Sequence, residues 1–272
     1  MMKRNIIMTA LGTALVLGVA SPVRAGFPKT PVRRCPGDAV AAGTVCLDKY
    51  EATVWRVPNP TTTNVGLVNK IRTGKASAAD LTAGGAAQLG TASNDYAPCA
   101  ENGQNCTNDI FAVSLPSETP SAYITWFQAQ EACGNAAKRL PTSAEWQVGA
   151  NGTPDPGPDN GTTDCNTFSS PFTVAPTGSR SSCVSARGAF DMVGNLYEWV
   201  ADWVPHSTAC PGWGGFSNDN MCLSGASTTA NGPGALLRGG DFGHGTAAGP
   251  FTVSASFGPS VFGPSIGFRC AR

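Results

Sequence analysis

Hydrophobic and polar positions alternate clearly in one part of the chain and follow helical spacing in two others. Residues 45–57, VCLDKYEATVWRV, alternate in the way that is typical of a strand entering a core. Thr125 is a good N-cap for a helix whose apolar residues recur at helical spacing. Thr142 and Glu145 form a capping box that opens a second helix, and 151–152, Asn-Gly, marks its end.

The stretches between these elements are irregular. Residues 26–44 are proline-rich and polar, which predicts an N-terminal linker. Residues 58–120 are rich in Ala, Gly, Thr and Asn, and we interpret them as an insertion with a short helix at 76–83. Residues 153–182 are turn-forming throughout, and short strand-like pieces separated by Gly and Pro follow them. Two helices followed by many short strands predict a loop-rich α+β domain over residues 45–272.

Residues 1–25 predict export. Lys3 and Arg4 precede an apolar run and then small residues, which is the pattern of a secretory signal peptide cleaved after Ala25. An uncleaved anchor is the alternative, but the apolar run is shorter than the roughly 20 residues that span a bilayer. No later segment is long and apolar enough to span. We therefore expect a secreted or periplasmic protein, or one at the cell surface, with no membrane span in the mature chain.

The charge balance excludes two classes of partner. The chain has 18 basic and 18 acidic residues, and loss of Lys3, Arg4 and Arg24 with the signal peptide leaves an excess of acids. Such a chain presents no basic field to attract nucleic acid or anionic lipid. Neither is an expected partner.

The ten cysteines predict disulfides. All of them follow the signal peptide, and an even count in an exported chain is typical of a disulfide framework. Zinc is the weaker interpretation, because no C-x-x-C pair occurs and both histidines, His206 and His244, stand alone. Sequence order suggests the local pairs Cys35–Cys46, Cys99–Cys106, Cys165–Cys183 and Cys210–Cys222, which leaves Cys133 and Cys270 to close a long loop.

Several segments in a fixed order carry a family resemblance: DKYEAT (48–53), KRLPTSAEWQVGANG (138–152), GAFDMVGNLYEWVADW (188–203), and LRGG (237–240) with the closing GFRCAR (267–272). Together they resemble the sulfatase-modifying, formylglycine-generating enzyme family. The resemblance implies an irregular C-type-lectin-like fold, in which two helices pack on a twisted, mostly antiparallel sheet and disulfides hold long loops. It also implies a disulfide between the first helix and GFRC, which here is Cys133–Cys270.

The enzymes of that family oxidise a substrate cysteine with copper and a pair of active-site cysteines between RGG and GFRC. The matching positions here lie near Gly249 and Ser254, and no cysteine occurs between Cys222 and Cys270. Neither residue supplies the thiolate that Cu(I) and the substrate require. We therefore predict a protein that is not an enzyme of this type and binds no copper. A family enzyme that uses other residues is the alternative.

Residues 235–272 carry a second, narrower resemblance. Their pattern resembles the variable region of diversity-generating retroelement target proteins, whose chosen codons are rewritten by an error-prone reverse transcriptase. The resemblance implies that the tail segment (residues 238–270) binds a protein or glycan ligand. The frame residues, which it implies are fixed, are Arg238, Gly239, Gly240, Gly245, Ala248, Gly249, Phe251, Pro259, Ile266, Gly267, Phe268, Arg269 and Cys270. The exchanged positions, which it implies contact the ligand, are Phe242, Gly243, His244, Ala247, Ser254, Ser256, Phe257, Val261, Phe262, Gly263 and Ser265, with Thr246, Pro250, Ser260 and Pro264 matching less closely.

Alternation within PFTVSASF (250–257) predicts which side chains of the tail segment face outward. Because successive side chains of a strand point to opposite faces, one alternate set is expected in the core and the other on the surface. The core set is Phe251, Val253 and Ala255, and the surface set is Thr252, Ser254 and Ser256. Aromatic residues beside small hydrogen-bonding ones are typical of antibody-like binding surfaces. The alternative is that 241–265 is a pair of core strands with Gly/Pro turns. A structural surface protein with no specific ligand is a further possibility.

The segment DMVGNLYE predicts a calcium site by the same family resemblance. The matching ligands are the side chains of Asp191 and Glu198 and the carbonyls of Gly194 and Leu196. Hard oxygen ligands in an irregular loop suit calcium. The alternative is that Asp191 caps a turn and Glu198 pairs with an arginine.

The tryptophans have simpler interpretations. Core packing is predicted for Trp126, Trp146, Trp199 and Trp203. Trp213, with Phe216 in the Cys210–Cys222 loop, either rims a binding surface or packs inside its own loop.

Overall fold

A computed structural model describes residues 34–230 and 232–272, so the predicted signal peptide (1–25) and the first part of the predicted linker lie outside the described residues. The strands are β1 (Ala39–Ala42), β2 (Val45–Asp48), β3 (Ala52–Arg56), β4 (Ala87–Leu89), β5 (Ile110–Ser114), β6 (Tyr197–Val204), β7 (Met221–Cys222), β8 (Gly234–Arg238), β9 (Val253–Ser254) and β10 (Ile266–Phe268). The helices are α1 (Val65–Arg72), α2 (Ala78–Ala83), α3 (Trp126–Asn135) and α4 (Ser143–Ala150), and Gly245–Ala247 forms a 3-10 turn. Short elements joined by long loops confirm the α+β prediction. Over these two ranges no helix has the length and apolar character to cross a membrane.

The segment predicted as one strand, residues 45–57, forms two strands in different sheets. β2 pairs with β1 in an antiparallel hairpin, whereas β3 lies between β4 and β5 in a three-stranded antiparallel sheet. The chain bends at 49–50 and buries Glu51. The Glu51 carboxylate accepts hydrogen bonds from the Leu196 backbone N–H at 3.0 Å and from the Asn195 side chain at 2.5 Å. The prediction missed this bend because the partners of Glu51 lie far away in sequence.

Both predicted helices are present and capped as expected. The hydroxyl of Thr125 accepts from the Gln128 N–H at the start of α3, and the Gln128 side chain accepts from the Thr125 N–H. Thr142 and Glu145 make the same exchange at the start of α4. Each cap pairs backbone donors that a helix N-terminus otherwise leaves free, and contributes about 1 kcal/mol.

The segment 58–120 is built into the core. Its predicted short helix is α2, and it also contains α1, β4 and β5, which the sequence analysis did not predict. β5 pairs with β3 along its whole length. α1 buries Leu67, Val68 and Ile71 in a hydrophobic cluster that includes Phe111 of β5. The segment therefore completes one of the main sheets and covers it.

A five-stranded sheet, in the order β10–β6–β8–β9–β7, carries the tail segment. β8 pairs antiparallel with β6 and β9, while β10 runs parallel to β6 and β7 parallel to β9. Trp146 of α4 and Trp199 of β6 are fully buried, as predicted. The core prediction was wrong for Trp203, which is 43% exposed, whereas Trp126 is half-buried and packs against the core. These two rings pack against each other at the surface with their centroids 4.8 Å apart.

The disulfide predictions are confirmed. The bonded pairs are Cys35–Cys46, Cys99–Cys106, Cys133–Cys270, Cys165–Cys183 and Cys210–Cys222. The Cys133–Cys270 bond joins α3 to the residues after β10 and closes a sequence separation of 137. In the loop-entropy model a closure of this length stabilises the fold by about 5 kcal/mol. The far end of the tail segment is therefore covalently fixed to the core.

Candidate ligand-binding surface

The tail segment leaves β8 through a tight glycine turn. Gly239 and Gly240 have φ of +88° and +80°, a backbone conformation that favours glycine. A Cβ atom on Gly240 would lie 2.6 Å from both Cα and Cβ of Ala248. The chain passes directly beneath Ala248 here, so a larger residue at Gly240 would displace the loop.

The space around further glycines of the tail segment differs between frame residues and exchanged positions. A Cβ on the frame residue Gly249 would lie 2.2 Å from the Asp219 carboxylate, and one on Gly267 would lie 2.6 Å from a leucine side chain. At the exchanged positions Gly243 and Gly263 the nearest atoms would be 3.4 and 3.9 Å away, which is ordinary contact. A side chain therefore fits at these two exchanged positions, whereas at Gly249 and Gly267 the neighbouring side chain would have to shift; the frame residue Gly245 has room for a Cβ, but its φ of +53° favours glycine.

Most exchanged positions also lie at the surface. Gly243, Phe257 and Phe262 are exposed, and Phe242, His244, Ala247, Ser256, Val261, Gly263 and Ser265 are half-buried. Ser254 is the exception, at 2% exposed. The frame residues Arg238, Ala248, Ile266, Phe268, Arg269 and Cys270 are buried. Within 241–265, all of which the structure describes, the sole strand is β9, so the interpretation of this stretch as a pair of core strands was wrong.

The predicted alternation in PFTVSASF was wrong at three residues, Phe251, Thr252 and Ser254. Phe251 is 37% exposed and Thr252 is fully buried. Phe251 lies in a turn before β9, where its N–H donates to Asp219 Oδ2 at 2.6 Å, and the Thr252 hydroxyl donates to the Ala247 carbonyl at 2.7 Å. Ser254 is buried because β9 is an inner strand, between β8 and β7.

A cleft of about 390 Å³ opens beside the tail segment. Its lining comes from β6, from the Cys210–Cys222 loop and from the tail segment itself. The lining residues are Tyr197, Cys210, Asn220, Cys222, Asp241, His244, Ser254, Ser256, Phe257, Ser265 and Ile266. The structure thus brings exchanged positions from both halves of the tail segment, including the buried Ser254, to one concave site.

A short hydrogen-bond network shapes this cleft. Asp241 Oδ1 accepts from the Gly243 N–H and contacts His244 Nδ1, both at 2.8 Å. Burial pushes the pKa of Asp241 upward, but the hydrogen bond and charge of His244, with the Gly243 N–H, outweigh it, so the pKa lies below its ordinary value. The His244 ring stands edge-on to Tyr197 with centroids 4.7 Å apart, and the Tyr197 hydroxyl accepts from Asn220 at 3.2 Å. Burial raises the pKa of Tyr197 to about 12.

The cleft contains no thiol. Ser254, one of the two positions that match the family's active-site cysteines, lines it, whereas Gly249, the other, is buried against Asp219. All ten cysteines lie in the described part of the chain, and no free one occurs there. A disulfide sulfur is neither a thiolate nucleophile nor a thiolate ligand for Cu(I).

The sequence analysis missed an exposed aromatic pair beside the tail segment. Phe168 and Phe172, in the turn-forming stretch 153–182, are 51% and 49% exposed, with ring centroids 4.9 Å apart. Asp159 Oδ2 accepts from the Phe168 N–H at 2.7 Å and so fixes this loop. The Thr167 carbonyl accepts from the Gly245 N–H of the tail segment at 3.0 Å. The sequence feature that could have predicted this exposed pair is the occurrence of two phenylalanines in a turn-rich, otherwise polar stretch.

The Cys210–Cys222 loop adds a second aromatic cluster, which answers the question left open for Trp213 and Phe216. Phe216 is 64% exposed and packs on Phe251 with centroids 4.9 Å apart. Trp213 is half-buried and contacts both rings edge-on. Phe216 therefore rims the surface while Trp213 supports it.

The two side chains predicted to bind calcium make hydrogen bonds to protein groups. Both Glu198 oxygens accept hydrogen bonds from Arg269, and Oε2 also accepts from the Trp146 indole at 2.7 Å. Asp191 Oδ2 accepts from the Gly178 N–H at 2.7 Å, and burial raises the pKa of Asp191 to about 7. These are the contacts of the alternative interpretation, an arginine pair and a turn cap. As arranged, Glu198 does not fit a calcium ligand without displacing Arg269.

Calcium at Asp191, Gly194, Leu196 and Glu198 stays a prediction, since these contacts alone do not test it. Among the described residues no group of three or more His, Cys, Asp or Glu side chains forms a metal-holding cluster.

Comparison with known proteins identifies a family domain. The profile of the "Sulfatase-modifying factor enzyme 1-like domain" matches residues 62–272. The chain is 38% identical over 92 residues to the serine/threonine-protein kinase Pkn1 of Chlamydia trachomatis, which covers 32% of this chain and 14% of the kinase. It is 30% identical over 112 residues to the formylglycine-generating enzyme of Thermomonospora curvata, which covers 34% of this chain and 37% of that enzyme. The chain thus spans the smaller part of each relative's own length.

Several solved structures match this chain at low identity and with TM-scores below 0.5. The Major Tropism Determinant P3c variant has a TM-score of 0.46 at 19% identity, over 87% of this chain and 54% of that one. Treponema denticola variable protein 1 has a TM-score of 0.34 at 18% identity, over 57% of this chain and 71% of that one. PvdO from Pseudomonas aeruginosa has a TM-score of 0.40 at 20% identity, over 84% of this chain and 80% of that one.

Proposed function

The chain belongs to the family of the sulfatase-modifying factor enzyme 1-like domain, and we propose that it uses this fold to bind a ligand on an exchangeable surface. The observation that carries the proposal is the division within the tail segment. Most frame residues are buried or too crowded for another side chain, whereas the exchanged positions apart from Ser254 reach the surface. Surface substitutions away from packed features usually change stability by less than about 0.5 kcal/mol. Side chains on this surface can therefore be replaced while the core stays intact.

The composition of the surface supports binding. Phe257 and Phe262 are exposed large apolar side chains on the tail segment, and the Phe168–Phe172 pair lies beside it. Rigid aromatic side chains supply most of the contact energy in many binding surfaces, at a low entropic cost. Small residues such as Ser256, between the aromatic ones, leave room for hydrogen bonds. The expected ligand is a protein or a glycan.

The disulfide framework supports export, because such bonds persist in oxidising compartments. It also holds the surface in shape, since the Cys210–Cys222 and Cys165–Cys183 loops both flank the tail segment. The proposed location is therefore outside the cytoplasm, on the cell surface or released from it.

The competing function is cysteine oxidation of the family's enzymatic type. It is tested by copper-dependent oxygen uptake with a cysteine-containing sulfatase peptide. No uptake above the copper blank is expected, because the cleft contains no thiolate. Uptake that persists in a Ser254→Ala variant would overturn the binding proposal and indicate an enzyme that uses other residues.

A displayed library tests the binding function directly. One library randomises exchanged positions at the surface (Phe242, His244, Ser256, Phe257 and Phe262), and the matched library randomises the same number of buried frame residues (Arg238, Ala248, Ile266, Phe268 and Arg269). Members of the first library should remain folded, as measured by their resistance to protease, and should include binders to a panel of surface proteins and glycans. The second should lose folding. Equal folding losses, or an intact first library without binders, would refute the proposal.

The gene itself supplies an independent check. Exchange by a retroelement requires a neighbouring reverse transcriptase gene and an adenine-rich near-copy of the DNA that encodes the tail segment. Absence of both would remove the diversification mechanism and leave a fixed binding surface.

A further inference from the structure

The cleft beside the tail segment has a distinctive distribution of charge. Asp241 is the one Asp, Glu, Lys or Arg among its lining residues. Burial, and to a smaller extent the Asp241 carboxylate, raise the pKa of Tyr197, whose ring packs against the His244 imidazole that contacts this carboxylate. The imidazole of His244 is the other titratable group in contact with the carboxylate. When the His244 ring is neutral, the cleft holds one negative charge and no lysine or arginine in its lining, and such a cleft attracts cations.

The cleft lining also supplies several hydrogen-bond acceptors. His244 Nδ1 contacts a carboxylate oxygen at 2.8 Å, so in the neutral ring Nδ1 carries the hydrogen and Nε2 is left as an acceptor. Ser254, Ser256 and Ser265, whose hydroxyls can accept as well as donate, line the same space. An alkylammonium has three N–H donors and a guanidinium has five, and neither accepts a hydrogen bond. Such a group complements this set of acceptors.

Aromatic rings form part of the walls. Tyr197, His244 and Phe257 line the cleft, and the first two stand edge to face. A cation near an aromatic face gains further attraction from the ring quadrupole. A cleft of about 390 Å³ also exceeds the volume of a single side-chain end.

We propose that this cleft is a subsite for a cationic group, the ammonium or guanidinium end of a lysine or arginine side chain of a protein ligand. This inference rests on the proposed binding function and adds a chemical class to it. Asp241, Tyr197 and Asn220 are not among the exchanged positions. Replacing the exchanged His244 or Ser256 therefore changes the rim of the subsite and leaves the Asp241 carboxylate in place.

The probe is n-butylammonium chloride, titrated into the 15N-labelled protein and followed by amide chemical shifts. Saturable shifts are expected at Gly243, His244 and Ser256. Sodium butyrate and 1-butanol with added sodium chloride, at equal concentration and ionic strength, should produce none of them. n-Butylguanidinium separates the two cationic side-chain types. Equal shifts with butyrate or butanol would overturn the proposal.

Two variants and a control test whether n-butylammonium binds at Asp241. Asp241→Asn should weaken n-butylammonium binding at least tenfold, and Ser256→Asp, which adds a carboxylate at the rim, should strengthen it several-fold. Glu101→Gln removes one negative charge from an exposed site outside the cleft and should leave binding unchanged. The second variant keeps the test decisive if Asn at 241 disturbs the turn. Unchanged affinity in both variants would refute the subsite.

The outcomes separate this inference from the proposed function. If the surface library yields binders and n-butylammonium does not bind, the cation subsite fails alone. If n-butylammonium binds as expected and the library yields no binders, the subsite stands and the exchangeable surface fails.

Discussion

Replacing Gly240 by alanine tests the idea that the tail segment has a fixed frame. Gly240 combines a φ of +80° with a Cβ position 2.6 Å from the backbone and side chain of Ala248. A non-glycine residue in the left-handed region is destabilised by roughly 1–2 kcal/mol. Forcing a methyl group into packed structure adds roughly 1–3 kcal/mol. The expected loss in free energy of unfolding is therefore about 2–5 kcal/mol.

Gly243→Ala and Gly263→Ala are matched controls for this substitution. Both glycines lie outside the positive-φ set, and a Cβ would find its nearest neighbours at 3.4 and 3.9 Å. Their free energy of unfolding should change by less than about 0.5 kcal/mol.

Urea unfolding, followed by tryptophan fluorescence with the disulfides intact, measures all three variants. With a slope of about 3 kcal/mol/M, Gly240→Ala should lower the midpoint by about 1 M and the controls by less than about 0.2 M. Equal midpoints for the three variants would show that space and backbone conformation do not distinguish frame residues from exchanged positions.

Three further predictions concern other parts of the fold. The double substitution of Cys133 and Cys270 by serine should lower the free energy of unfolding by about 5 kcal/mol, read from the urea midpoint; a loss below about 1 kcal/mol would contradict the loop-entropy argument. Burial and the charge of Asp219 raise the pKa of Asp155 to about 6 in the folded protein. The protonated Asp155 carboxyl therefore stabilises the folded state at a pH below its ordinary pKa, and this stabilisation is lost as the pH rises through about 6. Asp155→Asn should therefore gain thermal stability relative to the parent between pH 4 and pH 7, and an identical difference in Tm at both pH values would refute the raised pKa. The predicted calcium site requires Glu198 to release Arg269, and it predicts that calcium raises the Tm and gives a binding heat that Asp191→Ala abolishes; no heat, together with an unchanged Tm in chelator, would refute the calcium site and favour the Arg269 ion pair.

The parts of the fold that depend on neighbours in sequence were predictable. The caps of α3 and α4 join residues three positions apart, so Thr125 and Thr142 identify both helix starts. The cysteine pairs were likewise predictable, because most of them close short loops. The bend at 49–50 was not, because Glu51 turns inward for partners on the loop before β6.

Which residues of the tail segment lie at the surface was largely predictable, but the direction in which some of their side chains point was not. The positions that the tail pattern predicts to be exchanged all reach solvent except Ser254, while their exchange itself stays a prediction. The inversion of Phe251 and Thr252 follows from β9 being two residues long, so that alternation does not extend to the turn before it. The Phe168–Phe172 pair becomes part of the surface only through the backbone contact between Thr167 and Gly245, which no local pattern indicates.

Strand β6 holds both ends of the tail segment, with β8 on one side and β10 on the other. Arg238 and Gly267 pair with the same residue, Glu198, so the entry and exit of the intervening chain are adjacent whatever that chain contains. A doubling of loop length between fixed ends costs only about 0.6 kcal/mol. The architecture therefore accommodates insertions and deletions as well as substitutions in the stretches before and after β9, and relatives of this protein can differ in the reach of these loops while the strands that anchor them keep their pairing.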